Sequence, residues 1–273
     1  MHLFPSRWRT LSFIVLAGLL SARMVVADEP ALTKDQIKQF LKTAKVIHSA
    51  PAHKGTSNTL RLTLSDGTIT HDAHFQAIDE HAIQREMASG QKEFNFADSY
   101  KYNIAAYELA SMLGLDDMVP VYVERSYGGK TGSFGWWLPI KMDEGDRRKQ
   151  KIPVPDPDTW NEQMYRVRVL DQLVYDTDAN LTNVLIGEDW KIYRIDFSRA
   201  FRIYKELQTP QDLVKCDRQL FSKLKTLDAK ELTARTKGFL TKSELQALVA
   251  RRDKIVEHFQ KLIAEKGENE ILY

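Results

Sequence analysis

The chain has 273 residues, of which 43% are apolar and 28% are charged, and its formal net charge is +2. This length allows one large domain or two small ones, and the apolar fraction is sufficient for a buried core. The balanced charge argues against nucleic-acid binding, which needs a clustered basic face, and the single cysteine, Cys216, excludes an intrachain disulfide.

The first 27 residues have the pattern of a secretory signal peptide. Arg7 and Arg9 precede an apolar run over residues 11–20, which is well short of the ~20 residues that a membrane-spanning helix needs. Small or medium-sized residues then end at Ala27, as signal peptidase requires. We therefore expect removal of residues 1–27, export to the periplasm or out of the cell, and no stable membrane span afterwards. An uncleaved N-terminal anchor is the alternative.

The next part of the chain reads as strands and two helices. Thr33 and Gln36 have the spacing of a capping box ahead of a short helix. A second helix is predicted after Ser99, with Gly114 as its stop. A glycine-bearing loop around Gly55 joins the first two strands of a predicted antiparallel set. Strands are predicted at 45–48, 60–64, 68–78, 119–123 and 133–138.

The remainder is mainly helical. Three prolines and many charges predict a loop between two lobes over residues 144–158. An apolar helical stripe then runs to Asp176, and a tight β-hairpin is predicted over 184–195. Two further helices are predicted, the last of them opened by a capping box at Thr241 and Glu244.

Three polar residues in this helical part have the spacing of a kinase catalytic site. Asp178 follows a helix, Asn183 comes five residues later, and Asp196 ends the second strand of the hairpin. Phosphoryl transfer needs a carboxylate at the acceptor hydroxyl and oxygen ligands that hold Mg²⁺ against the phosphates. Protein kinases present these groups in this order. The pattern predicts Asp178 as the catalytic residue and Asn183 and Asp196 as metal ligands, although each alone could be an ordinary turn residue.

The sequence around these residues resembles a group of atypical kinases. Residues 169–178 look like the stretch that ends in Asn-Thr-Asp-Arg or Asn-Met-Asp-Arg in that group, and residues 195–201 are similar to its metal-binding segment. Residues 102–109 and 113–120 look like its regulatory helix and the strand that follows. The group includes the secretory-pathway casein kinases, the HipA-type toxin kinases and the type II phosphatidylinositol 4-kinases. The resemblance covers about residues 40–265 and is greatest to uncharacterised exported bacterial members.

The resemblance implies an α+β, two-lobed protein-kinase-like fold. An antiparallel-sheet N-lobe would cover residues 28–140 and a mainly helical C-lobe residues 141–273. The implied activity is a phosphotransferase that uses ATP with Mg²⁺ or Mn²⁺, with the loop around Lys54 and Gly55 over the phosphates. The acceptor, whether a protein, a lipid or a small molecule, stays open, and so does the choice between phosphoryl and nucleotidyl transfer.

Two positions depart from the kinase pattern. Gln76 stands where the third strand would carry a lysine, and Asn103 stands where the glutamate partner of that lysine is expected. This uncharged pair at the nucleotide site can hydrogen-bond and set the helix, but it cannot offset phosphate charge. Lys54 is our candidate for that cation. Together with Ala179, which replaces an arginine frequent in the group, the departures favour an alternative: an exported pseudokinase that binds nucleotide or acts as a scaffold without transfer.

Other conspicuous residues are predicted to be structural. The two-residue period of a strand sends His71 and His74 to opposite faces, so joint metal binding is not expected. Residues 251–253 are predicted to form an exposed ion-pair face on the last helix. Cys216 is predicted to be a buried small side chain rather than a nucleophile.

Overall fold

The computed structural model describes residues 32–52, 59–87 and 89–273. The predictions for residues 1–27 and for Lys54 and Gly55 lie outside these residues. None of the described helices is both long enough and apolar enough to cross a bilayer.

The described chain has a strand-rich first part and a mainly helical second part. In chain order, the first part contains α1 (Lys34–Thr43), β1 (Lys45–Pro51), β2 (Leu60–Ser65), β3 (Thr70–Gln76), β4 (Asp79–Glu86), β5 (Lys92–Ser99), α2 (Lys101–Leu113), β6 (Tyr122–Tyr127) and β7 (Lys130–Trp136). The second part contains β8 (Met142–Asp143), α3 (Glu144–Lys149), α4 (Pro157–Val174), β9 (Val184–Ile186), β10 (Ile192–Arg194), α5 (Arg218–Thr226), α6 (Ala229–Arg235), α7 (Lys242–Lys266) and α8 (Glu268–Ile271).

A five-stranded antiparallel sheet has β3 at its centre, in the order β1-β2-β3-β7-β6. One face is apolar, with Leu62, Leu64 and Phe75 buried, and α1 covers it. The predicted capping box at Thr33 begins that helix. Because side chains alternate along a strand, the opposite face of β3 carries Gln76 and the polar residues in phase with it.

Two helices flank the candidate site, and the boundaries of the first of them were predicted. The predicted helix after Ser99 is α2, which stops at Gly114 with φ of 71°, a left-handed conformation that favours glycine. In α4, the side chain of Asp156 accepts hydrogen bonds from the first-turn N–H groups, and Pro157 takes the first helical position. These helices flank the candidate site, because the Asp178 loop follows α4 and Asn103 lies on α2.

The β4–β5 hairpin, inserted between β3 and α2, was missed by the sequence analysis. Every residue of β4 is exposed, so the strand has no buried face and lacks the apolar alternation by which a half-buried strand is recognised. The two strands pair antiparallel and form a separate sheet. The hairpin matters because β5 contacts the segment that follows Asp196.

The prediction of a loop over residues 144–158 is wrong in its first half. The side chain of Asp143 accepts a hydrogen bond from the N–H of Asp146 at 2.7 Å and begins α3. Glu144 is completely buried and pairs with Arg147 and Arg148 at 2.6 Å each. The run of charges that suggested a solvated loop is therefore a short helix around a buried carboxylate.

The prediction of an exposed ion-pair face on the last long helix is wrong for Arg251, although Arg252 and Asp253 do pair at 2.6 Å. Arg251, on α7, is completely buried, and its guanidinium donates to the carbonyl oxygens of Leu173 at 2.8 Å and Arg202 at 2.9 Å. A sequence shows the charge of an arginine but not the distant carbonyls to which its guanidinium donates. Four helices, α5 to α8, follow the hairpin within the described residues instead of the two predicted. Cys216 is completely buried, as predicted.

Candidate nucleotide site

The loop after α4 presents Asp178 to solvent while holding its backbone. The N–H of Asp178 donates to Asp176 Oδ1 at 2.9 Å, and its carbonyl oxygen accepts from Asn183 Nδ2 at 3.2 Å. Its carboxylate accepts from Asn180 Nδ2 at 3.2 Å, and the side chain is exposed. A carboxylate held in this way is accessible to an incoming hydroxyl group.

The β9–β10 hairpin brings Asn183 next to the segment that carries Asp196. The N–H of Ile195 donates to the carbonyl oxygen of Asn183 at 3.0 Å. Because Asn183 uses its side-chain nitrogen on Asp178, its side-chain oxygen stays available as an acceptor or metal ligand. Hydrogen bonds therefore join Asp178 to Asn183, and Asn183 to Ile195, the residue directly before Asp196.

The backbone at Asp196 turns sharply. Its φ of 56° lies in the left-handed region, which is uncommon outside glycine but which aspartate tolerates. The next residue, Phe197, is completely buried, whereas Asp196 is half-buried. The turn thus sends the phenyl ring into the core and leaves the carboxylate at the site. Such backbone strain is concentrated at functional positions.

Gln76 and Asn103 form the hydrogen-bonded pair that the sequence analysis considered. Asn103 Nδ2 donates to Gln76 Oε1 at 2.7 Å, and both side chains are buried. Asn103 Oδ1 also accepts from the N–H of Phe197 at 2.8 Å. One amide therefore connects β3, α2 and the segment beginning at Asp196. The pair positions the helix without placing a charge at the candidate site.

We expect Gln76→Lys alone to lower the free energy of unfolding by about 3–5 kcal/mol, because it buries a charge without a carboxylate to receive it. Adding Asn103→Glu supplies that carboxylate and should recover part of the loss. Chemical denaturation measures both effects. Gln84→Lys on the exposed strand β4 is the control and should change little. A Gln76→Lys chain as stable as wild type would contradict the expectation.

A buried ion-pair network lies behind the Asp178 loop. Arg194 is completely buried; its Nε donates to Asp171 Oδ1 at 2.9 Å, and its guanidinium also pairs with Asp176. Burial raises the pKa of Asp171 to about 6, although the charge of Arg194 opposes the rise. Since Asp176 also accepts the N–H of Asp178, the network fixes the Asp178 loop. The sequence analysis gave no role to the three members of this network. The one available signal was Asp171, an acidic residue within the apolar stripe of α4.

A second charged cluster ties the segment after Asp196 to the β4–β5 hairpin. The carboxylate of Glu93, on β5, pairs with Arg199 and, at 2.9 Å, with Arg202. Arg202 also donates to the hydroxyl of Thr177 at 3.1 Å, next to Asp178. The hairpin that lacked a sequence signal therefore supports both loops of the candidate site.

The oxygen groups at the site suit a hard divalent cation. Within the described parts of the chain, no three His, Cys, Asp or Glu side chains form a metal-binding group. A cation would be held by the Asp196 carboxylate and the Asn183 side-chain oxygen, with further ligands from nucleotide phosphates and water. Mg²⁺ is usually bound in this way, through one or two carboxylates and substrate phosphates, and Mn²⁺ accepts the same ligands.

Comparison with known proteins finds similarity at the level of structure. The sequence matches no family model and no curated protein. The structure of hydra Fam20 with sugar superposes with a TM-score of 0.61 at 14% identity, over 88% of this chain and 91% of that one. A Golgi casein kinase gives a TM-score of 0.59 at 15% identity, over 88% and 78% of the two chains. The Helicobacter pylori proinflammatory kinase CtkA gives 0.53 at 11% identity, over 83% and 98%.

These similarities establish the fold. The chain is α+β and kinase-like, with an antiparallel sheet followed by a mainly helical part, as the sequence analysis predicted. Its structural neighbours are atypical kinases, which confirms the coarser part of the predicted resemblance. Identities of 11–15% do not carry the activity of these kinases over to this chain.

Proposed function

We propose that the chain is a phosphotransferase that uses ATP with Mg²⁺ or Mn²⁺. The observation that supports this most directly is the set of hydrogen bonds that joins Asp178, Asn183 and the segment of Asp196. A Golgi casein kinase with the same fold has been solved with Mn and ADP bound, which supports the choice of ligands.

In this proposal the three residues have separate tasks. Asp178, exposed on its loop, positions the acceptor hydroxyl and receives its proton. Asn183 and Asp196 hold the cation, which when bound offsets the negative charge of the phosphates. The amide pair of Gln76 and Asn103 keeps α2 and the Asp196 segment in register.

The acceptor and the compartment also belong to the proposal. The acceptor is a hydroxyl group of a protein, a lipid or a small molecule, and the pattern of residues 1–27 supports export. Lys54 and Gly55 are proposed to contact the phosphates from the loop between β1 and β2, and their roles stay predictions.

One observation favours the alternative of an exported pseudokinase. Gln76 and Asn103 occupy the positions where the kinase pattern has a lysine and a glutamate. Both are buried and uncharged, and they hydrogen-bond to each other. A cation near the phosphates is worth orders of magnitude in phosphoryl transfer. A chain without one could bind nucleotide and act through binding alone.

Parallel labelling reactions test the proposal. The purified chain is incubated with Mn²⁺ or Mg²⁺ and ATP labelled at either the γ- or the α-phosphate, with EDTA as the control. We expect metal-dependent transfer of the γ-label to the chain itself or to an added hydroxyl-bearing acceptor. Transfer of the α-label would indicate nucleotidyl transfer instead. Metal-dependent binding without transfer of either label would support a nucleotide-binding pseudokinase. The absence of both binding and transfer would reject the phosphotransferase and leave a pseudokinase that acts as a scaffold.

A further inference from the structure

The residue before Asp178 is bound to the segment that follows Asp196. The N–H of Thr177 donates to the carbonyl oxygen of Arg199 at 3.3 Å, and its hydroxyl group donates to the same oxygen at 3.1 Å. Thr177 is directly before Asp178 in the chain, and Arg199 comes shortly after Asp196. The place of the Asp178 loop therefore depends on the place of residues 197–204, the segment after Asp196.

Two arginines of that segment meet at one carboxylate. Glu93 pairs with Arg199 and, at 2.9 Å, with Arg202, and Nη2 of Arg202 also donates to the Thr177 hydroxyl at 3.1 Å. Arg202 is only 2% exposed, and burial lowers the pKa of its guanidinium, an effect that Glu93 opposes. Among the described residues, neither arginine has another carboxylate within ion-pair distance. Glu93 therefore offsets two like charges that lie beside Thr177.

The hairpin that carries Glu93 has little stability of its own. It is a separate two-stranded sheet with one wholly exposed strand, and such a hairpin is marginally stable when isolated. The N–H of Ser99 donates to the carbonyl of Ser198 at 2.9 Å, and the Tyr204 hydroxyl donates to the carbonyl of Phe94 at 3.2 Å. These contacts are neutral, whereas those of Glu93 are charged and partly buried. Because charge-assisted hydrogen bonds are the stronger kind, Glu93 is the main attachment of the hairpin to the segment.

We propose that Glu93 is a positioning residue, whose carboxylate holds the Asp178 loop and the segment after Asp196 in the arrangement used for phosphoryl transfer. This inference rests on the proposed phosphotransferase function. In kinases that are controlled by phosphorylation, an added phosphate group orders a loop by pairing with arginines. In this chain a carboxylate of the hairpin makes such pairs permanently, so transfer requires no earlier phosphorylation.

Transfer of the γ-label from ATP, measured with Mn²⁺ over a range of ATP concentrations, tests the role of Glu93. Glu93→Gln keeps the shape of the side chain but removes its charge. We expect the maximal rate to fall about 10–100-fold, because the loop that carries Asp178 is displaced, while the half-saturating ATP concentration changes less than about threefold. Glu93→Asp keeps the charge and should retain more activity. Glu86→Gln removes an exposed carboxylate from the same hairpin and should match wild type.

Hydrogen exchange of the chains without ligand gives a measurement that does not depend on activity. In Glu93→Gln, the amides of residues 176–183 and 196–204 should exchange faster than in wild type, because both segments open more often. The amides of α5 serve as the internal reference and should be unchanged. Glu86→Gln should show the wild-type pattern throughout, and thermal unfolding checks that each variant is folded.

The independence from phosphorylation is tested on wild type. The chain is treated with a phosphatase, separated from it and mixed with ATP and Mn²⁺. Transfer should proceed at its full rate from the start. A lag that earlier incubation with ATP removes would show that phosphorylation is needed, and would overturn this part of the inference.

Other results would reject the role of Glu93 itself. A Glu93→Gln chain with the wild-type maximal rate, or with unchanged exchange in both segments, would do so, and equal losses in Glu93→Asp and Glu93→Gln would exclude the charge as the cause. A wild-type chain that transfers no label would reject the phosphotransferase function and the positioning role together. Normal wild-type transfer with an unaffected Glu93→Gln variant would reject the role of Glu93 alone.

Discussion

Asp196→Ala is expected to abolish metal-dependent nucleotide binding. The substitution deletes the one carboxylate among the two proposed protein ligands, and the Asn183 amide alone would not hold Mg²⁺ or Mn²⁺. ATP binding measured with Mn²⁺ and again with EDTA should then give the same weak affinity. Asp253→Ala, which removes an exposed carboxylate from α7, should keep the wild-type response to the metal.

Asp178→Asn should fail in a different way. Its backbone is held by Asp176 and Asn183, so the loop should keep its conformation and the chain should still bind ATP. Without a carboxylate at the acceptor, turnover should fall by about 10²–10⁴-fold. A loss of nucleotide binding equal to that of Asp196→Ala would show that Asp178 belongs to the metal site rather than to the acceptor site.

The proximity of the candidate residues could be predicted from sequence because the segments that carry them are close along the chain. Asp178, Asn183 and Asp196 lie within one loop and the following hairpin, and hydrogen bonds join Asp178 to Asn183 and Asn183 to the neighbour of Asp196, Ile195. A short loop and a tight hairpin leave these groups little freedom to separate. The predicted pairing of Gln76 and Asn103 came from the kinase resemblance, since nothing in the spacing of those two residues indicates contact.

The features that sequence reasoning missed depend on long-range contacts. The β4–β5 hairpin is exposed, so its sequence carries no apolar alternation. Arginine is usually a surface residue, but Arg251 is buried and donates to carbonyl groups on α4 and after β10. Periodicity reports which face of an element is apolar, but it does not report where a buried charge finds its partners.

Arg194→Met is expected to destabilise the chain by about 3–5 kcal/mol, because it leaves the buried carboxylates of Asp171 and Asp176 without their cation. The matched control is Arg218→Met. Arg218 pairs with Glu268 at the surface, where both side chains are about half exposed, and the loss of such a pair should change stability by less than about 1 kcal/mol. Chemical denaturation of both variants measures the contrast.

The destabilisation caused by Arg194→Met is expected to depend on pH. Burial already raises the pKa of Asp171 to about 6 in the folded chain, and the pKa of Asp176 is raised for the same reason. Removing Arg194 should raise both pKa values further above those of the unfolded chain. A group of this kind disfavours folding at high pH and ceases to do so once it is protonated. The stability difference between Arg194→Met and wild type should therefore be larger at pH 8 than at pH 5. A difference that is independent of pH would mean that the two carboxylates find other partners when Arg194 is absent.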